Sequence, residues 1–175
     1  MSEIKQNNNI TATPEFKVSR LINAPLELVW KVWTKPEHLN RWWGPKGYTM
    51  LTNKLDLKPG GIFHYKMKSP DGQIMWGKFV FREIIELEKL VFVVSFSDEF
   101  GNILRHPLSM TWPLEVLSAV SFTEKEGKTL LSISGIPINA TKEEEKTFAD
   151  GLESMNQGWK GTFEQLEEYL NKIIN

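Results

Sequence analysis

Three histidines, an arginine beside one of them, two adjacent carboxylates and four strand-borne serines are the side chains here with reach for acid–base, metal or acyl chemistry. His38, His64 and His106 lie far apart, and none has the i, i+4 partner that lets one helix present two ligands to a metal. His64 alternates with Lys66 and Lys68 in "IFHYKMK", which predicts a solvent-facing or edge position. Asp98 and Glu99 belong to "DEFGN", where turn chemistry accounts for Asp98 and Asn102 without catalysis. Ser118, Ser121, Ser132 and Ser134 have no neighbours that would activate a nucleophile, and the glycines form no phosphate-binding loop. Arg105, in "RHP", has two readings: it rims a pocket and meets a carboxylate or phosphate, or it anchors its own loop. The absence of Cys excludes disulfides, thiolate metal sites and cysteine nucleophiles. No catalytic residue, cofactor or metal is expected.

The aromatic side chains carry the stronger signal. Seven Trp and ten Phe are a heavy load for 175 residues and suggest an apolar cavity. Phe63, Tyr65, Phe79, Phe81, Phe92, Phe96 and Phe122 occupy alternating strand positions that turn towards one face. Met155, Trp159 and Phe163 recur at helical spacing and look back at them. Such a lining, with Tyr65 as a polar group to orient a guest, is the composition of a small-molecule pocket. The pair Trp42-Trp43 cannot share a helical face, because neighbours point about 100° apart. One indole is expected to anchor a short helix, and the other, Trp43, to help close the cavity mouth.

The elements that must position these residues are legible in sequence. "EFKVSRLI" reads as a strand, and "NAPLELVWKVWT" as a helix with Pro25 in its first turn and Leu26, Val29, Trp30 and Trp33 on its apolar face. A second short helix begins at Lys35-Pro36-Glu37 and stops at Gly44-Pro45. Strands follow in "YTMLTNKLDL", "IFHYKMK", "IMWGKFVFREII", "KLVFVVSFS", "LEVLSAVSFTE" and "KTLLSISGI", the last two forming a hairpin around Glu126-Gly127. Thr141 and Glu144 fit a capping box. Phe148, Leu152, Met155, Trp159, Phe163, Leu166, Leu170 and Ile173 then step by three or four, predicting one amphipathic helix from Thr141 to about Asn171. Gly151, Gly158 and Gly161 inside it signal close packing or space for a ligand.

This is an α+β pattern: six to seven antiparallel strands curved around one long C-terminal helix, with two short helices after the first strand. Residues 1–14 read as a disordered polar tail and residues 15–175 as one domain. The net charge of −1 argues against nucleic acid or a membrane surface as partner. No run is apolar enough to span a bilayer and the first residues lack a signal-peptide core, so the expected location is cytoplasmic.

"INAPLELVWKVWTKPEHLNRWWGPKGYT", "PGGIFHYKMKSPDG", "FSDEFGN" and "GWKGTFEQLEEYL" together resemble the successive motifs of the family related to the activator of the heat-shock protein 90 ATPase, within the START/birch-pollen-allergen-like (SRPBCC) superfamily. "RHPLSMTWPLEVL" resembles a subgroup grouped with the calicheamicin-resistance protein. The likeness runs from about Phe16 to Leu170. It implies the helix-grip fold, with a cavity between sheet and long helix. The leading expectation is non-enzymatic binding of a small hydrophobic or aromatic molecule by Trp43, Phe63, Tyr65, Phe79, Phe81, Phe96, Arg105, Phe122, Met155, Trp159 and Phe163. The alternatives are an interaction module that stimulates a chaperone ATPase, and a cyclase- or hydrolase-like enzyme using Tyr65, His106 or Arg105.

Overall fold

The computed structural model describes residues 12–174, so most of the expected N-terminal tail lies outside the described residues. The order of elements is β1 (Phe16–Ile22), α1 (Leu26–Thr34), α2 (Pro36–Trp42), β2 (Thr49–Leu55), β3 (Ile62–Lys68), β4 (Ile74–Ile85), β5 (Lys89–Ser97), β6 (Ile103–Leu104), β7 (Glu115–Lys125), β8 (Lys128–Ile138), α3 (Lys142–Asp150) and α4 (Leu152–Ile174). Seven strands form one antiparallel path, β1-β8-β7-β5-β4-β3-β2, and the two-residue β6 pairs with the end of β5.

Strict alternation makes this sheet two-faced. Phe63, Tyr65 and Met67 on β3, Phe79 and Phe81 on β4, and Leu90 and Phe92 on β5 are buried on the concave side. Thr162, Phe163, Leu166 and Leu170 of α4 are buried in the same core. Register shifts between Phe81 and Glu83, and between Met50 and Thr52, add the bulges that bend a sheet around its cover. The β7–β8 hairpin turns through Glu126 (φ 52°) and Gly127 (φ 79°), the paired left-handed geometry that suits a two-residue connection. Arg20 on β1 makes a two-pronged ion pair with Glu167 on α4, at 2.9 and 3.0 Å, and ties the sheet edge to the helix.

The terminal helix is not continuous. It breaks at Gly151 (φ −90°, ψ 0°), a correction to the single helix expected from Thr141 to Asn171. The hydrogen-bond ladder still crosses the break, through Gly151 N–H to the Thr147 carbonyl at 3.1 Å and Met155 N–H to the Gly151 carbonyl at 3.0 Å. Glycine at this position leaves room for the Trp112 ring: a Cβ at position 151 would lie 3.1 Å from it. Gly161 is likewise approached by Lys46, at 3.2 Å from where a Cβ would be, so close packing explains both glycines. Gly158 is exposed with nothing near it, so neither glycine beside Trp159 makes room for a ligand. At the start of α3, Thr141 Oγ1 accepts from Glu144 N–H at 3.1 Å as a cap should. Pro25 sits at the N-cap of α1 rather than inside its first turn.

Candidate functional site

Trp42 and Trp43 part company because α2 ends between them. Trp42 is the last helical residue, 2% exposed, and its indole N–H donates to the Val32 carbonyl at 3.0 Å. That bond pins α2 to α1. Trp43 is the C-cap in extended geometry, and Gly44 follows at φ +117°, a conformation that disfavours any side chain. The Gly44 carbonyl accepts from Thr162 Oγ1 at 3.2 Å and from Gln165 Nε2 at 2.5 Å, which clamps the turn onto α4.

So held, the Trp43 ring enters the interior instead of closing a mouth. Its ring centre lies 5.3 Å from Phe79, 5.8 Å from Trp33, 5.9 Å from Trp159, 6.2 Å from Tyr65 and 6.4 Å from Phe63. Most of these pairs meet edge-to-face, the arrangement that aromatic quadrupoles favour. The void left among Trp33, Trp43, Phe63, Phe79, Phe81 and neighbouring leucines is about 10 Å³, near the lower limit for a single water molecule.

A second space opens at the other end of the grip. Its volume is about 70 Å³, and Tyr65, Met67, Met75, Gly77, Phe96, Trp112 and Val116 are among its walls. Gly77 interrupts a strand for a steric reason: a Cβ there would be 2.5 Å from the Tyr65 hydroxyl. Burial pushes the Tyr65 phenol up to about 12, only partly offset by the neighbouring Trp43 indole, so Tyr65 stays protonated and available as a donor.

Two buried donors lack acceptors. Trp33 Nε1 and Trp43 Nε1 are both without a hydrogen-bond partner, although both residues line the small void. The Trp43 N–H lies beside the Tyr65 hydroxyl without the geometry of a hydrogen bond. An unmade bond of this kind costs about 1–3 kcal/mol.

The connection between β6 and β7 forms a flap over the wider space. Arg105 Nη1 donates to the Trp112 carbonyl at 3.1 Å and lies 3.4 Å from Glu144 of α3. His106 packs against Phe96 at 4.8 Å and Trp112 at 6.2 Å, and its Nδ1 accepts from Leu108 N–H at 2.9 Å. Burial lowers the His106 pKa, in keeping with a neutral ring that accepts. Thr147 Oγ1 donates to Thr111 Oγ1 at 2.8 Å, and Trp112 seats in the notch at Gly151.

The expected lining residues therefore fall into four groups. Trp43, Phe63, Phe79 and Phe81 surround the small void; Tyr65 and Phe96 line the wider space. Trp159 packs on Trp33, Trp43 and Phe163, while Phe122 packs on Trp30 and Trp33, and Met155 sits half-buried against the core. Arg105 borders a cleft outside the grip, next to Leu104 and Pro107, and anchors the flap. Gly77 and Trp112 carry structural weight that periodicity does not signal; the isolated glycine in "MWGKF" is the hint that the sequence offers.

The histidines stay apart. His64 stacks on Trp76 at 4.8 Å on the convex face, with Nε2 at 3.0 Å from the Asp98 carbonyl. His38 Nδ1 meets the Tyr169 hydroxyl at 2.5 Å. Asp98 is held below the ordinary carboxylate range, chiefly by the Asn102 side chain and then by backbone N–H groups of its turn. Among the described residues no group of three or more His, Asp or Glu is placed to hold a metal ion.

A bent antiparallel sheet gripping a long terminal helix, with an aromatic interior, defines the helix-grip class of α+β domains, in general a ligand-binding architecture. The chain belongs to the family described as Activator of Hsp90 ATPase homolog 1-like protein, whose model matches residues 23–171. That family is generally non-catalytic. Among solved structures, a protein from Arthrobacter aurescens is 25% identical with a TM-score of 0.74, over 91% of this chain and 87% of that one. A protein from Mycobacterium smegmatis is 24% identical with a TM-score of 0.73, over 90% and 91% respectively. A Nitrosomonas europaea protein is 23% identical with a TM-score of 0.71, over 93% and 97%. Among curated proteins none matches the chain. No helix among the described residues is long and apolar enough to cross a membrane.

Proposed function

We propose that this protein binds a small hydrophobic or aromatic molecule between the sheet and α4, entering beneath the 105–114 flap. The observation that carries the reading is the apolar space of about 70 Å³ that ends on the protonated Tyr65 hydroxyl. Ligand pockets are typically about 300–1,000 Å³, so loading requires side chains to move. Met67 and Met75 are unbranched and adaptable, and Met75 is only half-buried. These are the groups best able to yield.

Titration with an anilinonaphthalene probe, alongside native mass spectrometry, tests this. The expected result is saturable one-to-one binding that Val116→Phe abolishes while the far-ultraviolet circular dichroism is unchanged. Arg105→Ala, by freeing the flap, is expected to speed association. Absence of saturable binding in the wild type would sink the reading.

An interior as full as this one also suits a module that acts through its surface on a chaperone ATPase. The specific observation in favour is the exposure of Phe100 (81%), Leu108 (87%) and Met110 (77%) on one stretch of chain. Stimulation of a chaperone ATPase that disappears in a Phe100→Ser/Leu108→Ser variant would favour this second reading; no stimulation by the wild type rejects it.

A further inference from the structure

We propose that the guest is an elongated amphiphile: its apolar end occupies the space under Tyr65, and its polar end stays in the cleft outside the grip that Leu104 and Arg105 border. The inference rests on the ligand reading above and adds the shape of the molecule and the place of its polar group. The inner space, at about 70 Å³, is smaller than ligand pockets usually are, whereas the cleft holds about 380 Å³. Met75, Trp76 and Phe96 border both. The two spaces are therefore neighbours with shared walls, and joined they reach the size of an ordinary ligand site.

The shared walls are not equally firm. Trp76 is held on the convex face, stacked on His64 at 4.8 Å and with Lys66 Nζ 5.5 Å from its ring centre. Met75 and Phe96 are half-buried. Met75 is unbranched and can turn about three side-chain bonds. Phe96 meets its ring partner, His106, on the flap at 4.8 Å, so lifting the flap frees the Phe96 ring as well. The compartments also differ in chemistry. Met67, Gly77, Val94 and Val116 keep the inner walls apolar up to the Tyr65 hydroxyl. The cleft sets two exposed apolar side chains, Ile74 and Leu104, beside Asp98, Glu99 and Arg105. An alkyl arm can lie along the first two while a hydroxyl at its end keeps its water or meets the charged side chains, which spares it the cost of burial without a partner.

Three probes with one ring in common, toluene, hexylbenzene and 6-phenyl-1-hexanol, separate the compartments in calorimetric titrations. Both long probes should bind more tightly than toluene, and within about threefold of each other, because the hydroxyl is never buried. A site that enclosed the whole guest would penalise the alcohol by more than that. Leu104→Ser, which alters the cleft and not the interior, should weaken both long probes about fivefold and leave toluene within about twofold. In wild-type protein the backbone N–H resonances of Glu99 and Leu104 should shift with 6-phenyl-1-hexanol and not with toluene, whereas that of Gly77 should shift with both. That readout needs no variant to fold. A larger penalty for the hydroxyl, a Leu104→Ser variant that binds all three probes as the wild type does, or unmoved Glu99 and Leu104 resonances each overturn the amphiphile. In those cases saturable binding of toluene leaves the ligand reading standing. Failure of all three probes to bind overturns the two together.

Discussion

At the end of the grip covered by α1 and α2, Trp33, Trp43, Phe63 and Phe79 interlock around a void of about 10 Å³. At the other end, beneath the 105–114 flap, the same strands leave about 70 Å³. The two ends differ in the groups inserted into them. Rigid indoles enter the first end from a helix terminus. In the second, Gly77 subtracts a side chain and methionines replace rings, while the cover is a loop pinned by Arg105, Thr111 and Trp112. A sheet of one pattern thus yields a packed core and an adaptable pocket side by side, according to what is pushed into it and what is left out.

The largest expected effect tests the packed end. Phe79 is 5% exposed and stacks on Phe92 at 4.2 Å, so Phe79→Ala should destabilise the protein by about 3–5 kcal/mol in urea unfolding. Met75→Ala, at the open end, should cost no more than about 2 kcal/mol, since part of its surroundings is already void. Equal losses would erase the distinction between the ends.

Tyr65, where the two regions meet, offers a sharper measure. Its folded-state pKa of about 12 lies above the value of about 10 in an unfolded chain. Between those values the unfolded state has released its proton while the folded state retains it. Stability should therefore be intact below pH 10, fall as pH rises to 12, and level off beyond, with a total loss of roughly 2–3 kcal/mol. Tyr65→Phe should remove that component of the slope. An unchanged slope in the variant would mean that Tyr65 is more solvated than its burial implies.

The smallest effect has the opposite sign. Gly158 lies on the exposed side of α4 with nothing near a would-be Cβ, so Gly158→Ala should stabilise the protein by about 0.8–1 kcal/mol. Any loss of probe binding in that variant would show that the cavity reaches further along the helix than its walls indicate.

Periodicity made the fold legible because burial repeats: every second residue on β3 and β4, every third or fourth on α4. The same signal pointed Phe63, Phe79 and Phe81 inward. It could not tell a filled interior from a hollow one, since Trp159 and Phe163 would show the same spacing in either. Nor does it show the break at Gly151, where the approaching ring, Trp112, comes from a segment with no repeat of its own. Arg105 has two readings in the sequence for a like reason: Glu144, its partner, is near only once the chain has folded.

The first strand of the sheet pairs along its whole length with the last, from Phe16 opposite Gly135 to Ile22 opposite Thr129. On the ribosome, β2 to β5 have neighbours as soon as they emerge, each hairpin closing on the strand just made. β1 has none until Lys128 and the residues after it appear, roughly 5–20 s later at ordinary rates of synthesis. For that interval Phe16 and Ile22, both buried in the finished protein, have no native edge to join. Pairings so distant in sequence slow folding, because the loop they close must be formed before they reward it. The nascent sheet is therefore open at β1 until β8 has been made, and that is when it is most in need of protection from its neighbours.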